Sequence, residues 1–279
     1  MLYHRKDKIK EYFCETNVLS DSKEEYVMYW MMDSYVKTYE ALRATGTYMK
    51  KSQRKISMFM FGSTIGATNY PCYFDGSLYH NLARPYANFK PGSPARIKMN
   101  EGWFKNFVMY IEKCVVFFLR ELYPNKDKAK LTLFKIALAK KVIPLNCRIA
   151  GSFFNHMTCL GYLKEEKDVR IEPHLDEEDV ITALFHVGKP TLGGNTQYYS
   201  GSSKDDIGKM VYSVPFEHGR LQIGYFNNIV HEASSWNGLR GGINFNLKNN
   251  VLDFFEDRKN RLHYEKFERD GFPKNYACI

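Results

Sequence analysis

A chain of 279 residues, 44% hydrophobic and 25% charged, is long enough to bury a substantial core and has the composition of a soluble globular protein, which excludes a disordered or fibrous one. No stretch reaches the roughly 18 consecutive apolar residues of a membrane-spanning helix, and the run Cys114-Val-Val-Phe-Phe-Leu119 is flanked by charges, so no membrane partner is expected. The net charge of +9, from 40 basic against 31 acidic residues, concentrates at Lys50, Lys51, Arg54 and Lys55 and in the lysines from Lys126 to Lys141.

The first elements read as helical. Ser22 to about Thr45 has few breakers, carries Glu24 and Glu25 in a first turn where acidic side chains favour a helix N-terminus, and ends near Gly46. Lys55 to Phe61 alternates as a strand. Residues 62–98 are loop-rich, with Gly, Pro, Asn and Tyr; irregular segments of that size commonly form lids or binding loops, so substrate recognition is expected here. Asn100 to Tyr123 predicts a helix with apolar positions at Phe104, Phe107, Val108, Ile111, Val115 and Phe118, ended by Pro124. A second helix follows from Asp127 to about Lys141. Its lysines, and the earlier basic cluster, fit either a nucleic-acid-binding patch or an ordinary solvated face.

From about Cys147 the pattern changes to short β-rich runs. Glu172-Pro-His-Leu-Asp176 contains a His-x-Asp, and on an extended strand alternate side chains share one face. With eight histidines and thirteen aspartates, about 0.4 such pairs arise by chance, so the context carries the inference. Asp179-Val-Ile-Thr-Ala-Leu-Phe-His-Val187 predicts a strand, Gly188 to Pro190 a break, and Gly193-Gly194 the opening of another strand at Asn195 to Tyr199. Arg220 to Phe226, Ile229 to Ala233 and Gly238 to Leu247 complete the strands, with a turn at Asn227-Asn228. His231 stands 55 positions after Asp176 and Arg240 nine beyond it. Two imidazoles and one carboxylate on one side of a metal leave the opposite positions open, an arrangement suited to non-haem Fe(II). A buried Arg240 without an acidic partner is expected to hold a ligand carboxylate. Ordinary roles remain open for each residue: His174 with Asp176 as a surface pair, His231 as a core histidine on a backbone carbonyl, Arg240 bridged to Glu232 or Glu217, and Tyr198 with Tyr199 as packing.

The ordered set from about Cys147 to Asn249 resembles the double-stranded β-helix core of the Fe(II)/2-oxoglutarate-dependent dioxygenases. Its layout is closest to the prolyl-hydroxylase-like branch, which shares the threonine-containing strand after His-x-Asp, the Gly-Gly, and the nine-residue step to a basic residue. The resemblance implies that His174, Asp176 and His231 bind iron and that Arg240 grips the distal carboxylate of 2-oxoglutarate, with O2 as co-substrate. His186 falls where that branch often has a tyrosine bonding the same carboxylate, and Asn244 lies four residues beyond Arg240 on the same strand. The branch often has Ser or Thr two or four residues after the arginine, where this chain has Gly242 and Asn244. The expected fold is mainly β with α. In it a jelly-roll core over residues 147–249 is buttressed by a mostly helical segment 1–146, with a C-terminal arm from residue 250, all in one domain.

The resemblance further implies hydroxylation of a C–H bond with release of succinate and CO2; related halogenases lack the carboxylate that Asp176 supplies. A nucleic-acid base fits the basic charge and aromatic loop, and a peptidyl residue fits the prolyl-hydroxylase-like layout. A small molecule, or a metal-binding β-barrel without catalysis, are the alternatives. Six cysteines at 14, 72, 114, 147, 159 and 278 show no paired spacing and read as thiols of a reducing compartment. With no secretory signal evident at the start, an intracellular protein is expected.

Overall fold

A computed structural model of the chain describes residues 57–65, 71–78, 102–161 and 169–270, the last without 202 and 204. The helix expected over Ser22–Thr45 and the Lys50–Lys55 cluster lie outside the described residues. Nine antiparallel strands form among the described residues: β1 Ser57–Ile65, β2 Pro71–Leu78, β3 His156–Gly161, β4 Val169–His174, β5 Asp179–Gly193, β6 Thr196–Tyr199, β7 Met210–Val214, β8 Leu221–Gly224 and β9 His231–Lys248.

Two long strands, β5 and β9, fold this set into a jelly roll. β5 pairs along its whole length, from Asp179 to Gly193, with the last part of β9, Trp236 to Lys248, and β3 and β8 flank them. The first part of β9 pairs instead with β4 on one side and β6 on the other, and β6 pairs with β7. In chain order, then, the segments pass back and forth between a larger and a smaller sheet, which is the double-stranded β-helix arrangement. β1 and β2 extend the larger sheet beyond β3. β2 falls inside the segment expected to be loop-rich, and β7 arises where no strand is expected.

Two further boundaries differ from expectation. Gly188 to Pro190 does not break β5, because Gly188 at φ 119 keeps its ladder partner Arg240. The two strands expected at Ile229–Ala233 and Gly238–Leu247 are one, bent at Gly238 (φ 85), where the register against β5 slips between Pro190 and Leu192. The bend has a consequence. Nine residues separate His231 from Arg240, an odd step that would send them to opposite faces of a straight strand.

The larger sheet is asymmetric. Its outer face carries Met157, Ile181, Ala183, Phe185, Ile243, Phe245 and Leu247, all in the main buried core. This face packs on helix α1 (Gly102–Phe117) and on α3 (Asn249–Glu256), with Phe107 edge-on to Phe185 at 5.1 Å between ring centroids. Fully burying each such side chain contributes about 1.5–3 kcal/mol, so this interface holds the sheet. The chain leaves α1 through a π turn, Phe118–Leu122, and enters α2 (Lys126–Val142), whose N-cap Asn125 accepts from the Lys128 backbone N–H at 2.9 Å. α4 (Arg258–Asp270) closes the arm, with Tyr264 against Phe255 and the Cys147 thiol. No helix among the described residues is long and apolar enough to cross a membrane.

The inner face is polar. His156 and Thr158 on β3, Thr182 and His186 on β5, Gln222 on β8, and Arg240 and Asn246 on β9 are all buried there. Burial and the Lys248 ammonium push the His156 pKa down to about 3, and a hydrogen bond to Asn246 only partly opposes them. An unfolded histidine titrates near 6.5, so below that pH the unfolded chain binds a proton that folded His156 refuses. This contribution lowers stability as pH falls from 6.5 towards 3. Replacing His156 with Gln is expected to reduce the pH slope of the unfolding free energy by about 1.4 kcal/mol per pH unit below about pH 5.5. Urea unfolding across that range checks this, and an unchanged slope contradicts a buried neutral imidazole.

Candidate metal centre

His174 is the last residue of β4 and His231 the first of β9, and the two are ladder partners. Their rings therefore lie side by side, centroids 4.3 Å apart. Asp176 is not on the strand as the His-x-Asp pattern suggests. It sits just past the end of β4, where its backbone N–H donates to the Phe226 carbonyl at 3.1 Å. That bond turns the carboxylate back toward both rings: Oδ1 is 3.8 Å from His174 Nε2 and Oδ2 3.7 Å from His231 Nε2. These separations are too long for hydrogen bonds. One donor atom from each of the three residues lies within 4.8 Å of the others.

Each imidazole is oriented from behind. His174 Nδ1–H donates to the Glu172 carbonyl at 2.8 Å and His231 Nδ1–H to the Ile229 carbonyl at 3.1 Å. With the proton on Nδ1, the Nε2 lone pair of each ring faces the carboxylate. Burial, and next the neighbouring His174, push His231 down to about 3, which keeps it neutral and able to ligate. Burial raises the Asp176 carboxyl, against the pull of His174 and Lys248. Its buried Oδ2 has no hydrogen-bond partner. A carboxylate that faces two imidazole lone pairs, one of its oxygens buried and unbonded, is costly unless a cation occupies the gap, so this donor set fits a divalent metal of the iron type.

Arg240 is 5% exposed and forms no ion pair among the described residues. Glu232 instead accepts from the Tyr199 hydroxyl, and Glu217 pairs with Arg220. The guanidinium lies between Trp236 at 4.8 Å and Phe216 at 5.4 Å, and its Nε donates to the Gly194 carbonyl at 2.9 Å. Burial lowers its pKa only to about 10, so it remains charged. The Gly-Gly signal has a steric origin. A Cβ on Gly193 would lie 2.0 Å from the Ser235 carbonyl oxygen, and one on Gly194 2.8 Å from Arg240 Cδ; both residues have positive φ.

His186 is fully buried on the inner face, with its ring stacked on Phe216 at 4.9 Å and its Nδ1 unpartnered. Asn244 is half-buried on the same wall, with Oδ1 unpartnered. Three residues that the sequence reading does not assign to the site join them. Tyr198 donates its hydroxyl to Gln222 Oε1, and Gln222 Nε2 contacts His186 Nε2 at 2.8 Å and Thr196 Oγ1 at 3.0 Å. Tyr198 also lies 6.3 Å from the His231 ring, so the network runs from His186 to the triad. A glutamine between Leu221 and Ile223 was the available signal, since a lone amide in an apolar strand needs a buried partner.

The α2 lysines are largely engaged within the chain. Lys126 donates to the Arg120 carbonyl, Lys128 lies over the Tyr225 ring, Lys135 donates to Asn249, and Lys140 pairs with Glu112. This favours the structural role of that run over a polyanion patch.

No family model matches the chain, and no curated protein matches it at a significant level. Among solved structures it is similar to NgTET1 in complex with 5mC DNA, with 16% identity, a TM-score of 0.49, and coverage of 90% of this chain and 78% of that one. It is also similar to OsALKBH1, at 13% identity and a TM-score of 0.43 over 82% of this chain and 94% of that one. A third is the Escherichia coli ribosomal oxygenase YcfD in complex with cobalt and 2-oxoglutarate, at 10% identity and a TM-score of 0.27 over 43% and 30%. The fold assignment rests on the strand order, not on likenesses at this level.

The unbonded Asp176 oxygen generates a prediction of two opposite signs. Asp176→Asn removes a desolvated charge and should raise the stability of the metal-free protein by about 1 kcal/mol. The same substitution should abolish the gain that Co(II) gives the wild type, about 2.7 kcal/mol at 100 times its Kd. Thermal unfolding with and without Co(II) reads both effects, and an equal Co(II) gain in the variant contradicts the donor set.

Proposed function

We propose that this chain is an Fe(II)- and 2-oxoglutarate-dependent dioxygenase that hydroxylates a C–H bond of its substrate. The observation that carries the reading is the convergence of two Nε2 lone pairs on one carboxylate whose buried Oδ2 is unbonded. In this reading His174, Asp176 and His231 hold the iron. Arg240 takes the distal carboxylate of 2-oxoglutarate, with His186 and Asn244 as further donors on the same wall. Arg240 suits the role because it is buried, charged and uncommitted to any acid among the described residues.

When bound, Fe(II) would activate O2 for a reaction whose four electrons come from 2-oxoglutarate, two as it loses CO2 to become succinate, and from the substrate C–H bond, the other two; one oxygen atom ends in succinate and the other in the new hydroxyl. The protein's part is geometric. The Glu172 and Ile229 carbonyls hold the two imidazoles in the ligating tautomer, and Phe226 at 4.7 Å covers the His231 ring. A retained carboxylate at Asp176 favours hydroxyl transfer over halogenation, in line with the family resemblance.

The substrate is read as a nucleic-acid base or a peptidyl residue. The net charge of +9 supports the first and the prolyl-hydroxylase-like layout supports the second. With most of the α2 lysines engaged, Lys50, Lys51, Arg54 and Lys55 are the main candidates for polyanion contact. A small-molecule substrate is separated from both by the same assay, whereas a non-catalytic metal module leaves Arg240 without a role. We read the whole as one domain acting inside the cell, where ferrous iron and 2-oxoglutarate are available.

Succinate release is expected to require both Fe(II) and 2-oxoglutarate, and stimulation by an oligonucleotide, peptide or metabolite panel identifies the substrate class. His174→Ala, Asp176→Ala and His231→Ala should each abolish release with the circular dichroism spectrum unchanged. Arg240→Ala should raise the 2-oxoglutarate requirement by about 1.5–3 kcal/mol, the worth of a charged hydrogen bond. Undiminished turnover in any triad variant overturns the assignment.

A further inference from the structure

Both amide hydrogens of Gln222 are engaged, as is its carbonyl oxygen. Its Oε1 accepts from the Tyr198 hydroxyl, and its two amide hydrogens serve Thr196 Oγ1 at 3.0 Å and His186 Nε2 at 2.8 Å. A neutral imidazole has one donor and one acceptor nitrogen. Because Nε2 of His186 accepts, the proton must sit on Nδ1. That Nδ1–H is fully buried and has no partner among the described residues. The ring carrying it stacks on Phe216 with an interplanar angle of 22°, and the Arg240 guanidinium lies 5.4 Å from the same Phe216 ring.

We propose that Gln222 is a positioning residue: by fixing the tautomer of His186 it aims a neutral Nδ1–H at the carboxylate that Arg240 binds. The proposal rests on the preceding reading of Arg240 and deepens it. Burial, then Arg240 and Arg220, hold His186 neutral, so the choice of tautomer decides whether the ring offers a hydrogen or a repelling lone pair. Thr196 and Tyr198 anchor the amide from the smaller sheet, and Tyr198 is the ladder partner of His231. β9, which lays His231 beside His174 through β4, thus also seats through β6 the tyrosine that anchors the amide.

The test combines Gln222→Glu, which accepts a hydrogen bond where the amide donates one, with His186→Asn, whose amide nitrogen stands in for Nδ1 without help from Gln222. Nitrogen-15 NMR of labelled histidine should find the Nδ1–H form of His186 in the wild type and the Nε2–H form in Gln222→Glu. Calorimetry with Mn(II) should then give Gln222→Glu a 2-oxoglutarate affinity weaker on the order of tenfold, the loss of one hydrogen bond to a charged group. Oxalate, which lacks the distal carboxylate, should bind both equally. In the His186→Asn background, Gln222→Glu should have no further effect on 2-oxoglutarate. An Nε2–H wild type overturns the proposal, as does a switched tautomer with unchanged 2-oxoglutarate affinity, or an equal loss in the His186→Asn background. Failure of the wild type to bind 2-oxoglutarate at all overturns the oxygenase reading as well, and is told apart by the calorimetry alone.

Discussion

The bend in β9 is the constraint on which the rest of the molecule depends. One strand of 18 residues pairs with four others and belongs to both sheets, with Gly238 at φ 85 between its two halves. The first half lays His231 beside His174 and Tyr198, and the second carries Arg240, Asn244 and Asn246 along the inner wall of the larger sheet. A straight strand would set His231 and Arg240 on opposite faces. The Gly193-Gly194 junction serves the same end, since only glycine there lets the chain pass under Ser235 and leaves room for the arginine side chain.

The two faces of the larger sheet divide stability from chemistry. The outer face is apolar against α1 and α3, where aromatic edges such as Phe107 on Phe185 and Phe245 add to plain burial. The inner wall and its rim leave polar atoms without partners: Asp176 Oδ2, His186 Nδ1 and Asn244 Oδ1. Each such group costs about 1–3 kcal/mol, a large fraction of the roughly 5–15 kcal/mol by which a domain is stable. A bound metal would satisfy Asp176 Oδ2 and a bound carboxylate the His186 Nδ1–H, whereas Asn244 Oδ1, an acceptor, needs a donor. The stiff apolar interface behind the sheet is what allows this unmet capacity to persist in their absence.

Much of the site is legible from residue spacing alone. His174, Asp176, His231 and Arg240 stand out because metal ligation and carboxylate binding demand particular side chains at particular strand positions, and the structure brings the triad together. The strand limits are harder to read. Asp179 to His186 is buried on both faces, so its apolar and polar residues do not alternate cleanly with water, and Gly188 resembles a break although its ladder bonds continue. Gly238 likewise looks like a strand start because a positive φ inside a strand is rare. The Tyr198–Gln222–His186 network is hidden for a different reason. Its members come from three strands far apart in sequence, and only tertiary register makes them neighbours. Asp176 shows the limit of strand periodicity: it reaches the imidazoles through a bond to Phe226 beyond the strand end, not through alternation.

In the proposed reading the metal and the 2-oxo acid share one site, with the triad at one end and Arg240 at the other. Anomalous diffraction from crystals grown with Mn(II) and 2-oxoglutarate under anaerobic conditions tests it most directly. The account predicts a single strong manganese peak between His174 Nε2, His231 Nε2 and the Asp176 carboxylate, with the keto acid extending from it to the Arg240 guanidinium. A manganese peak elsewhere, or a keto acid whose far carboxylate lies away from Arg240, would contradict it.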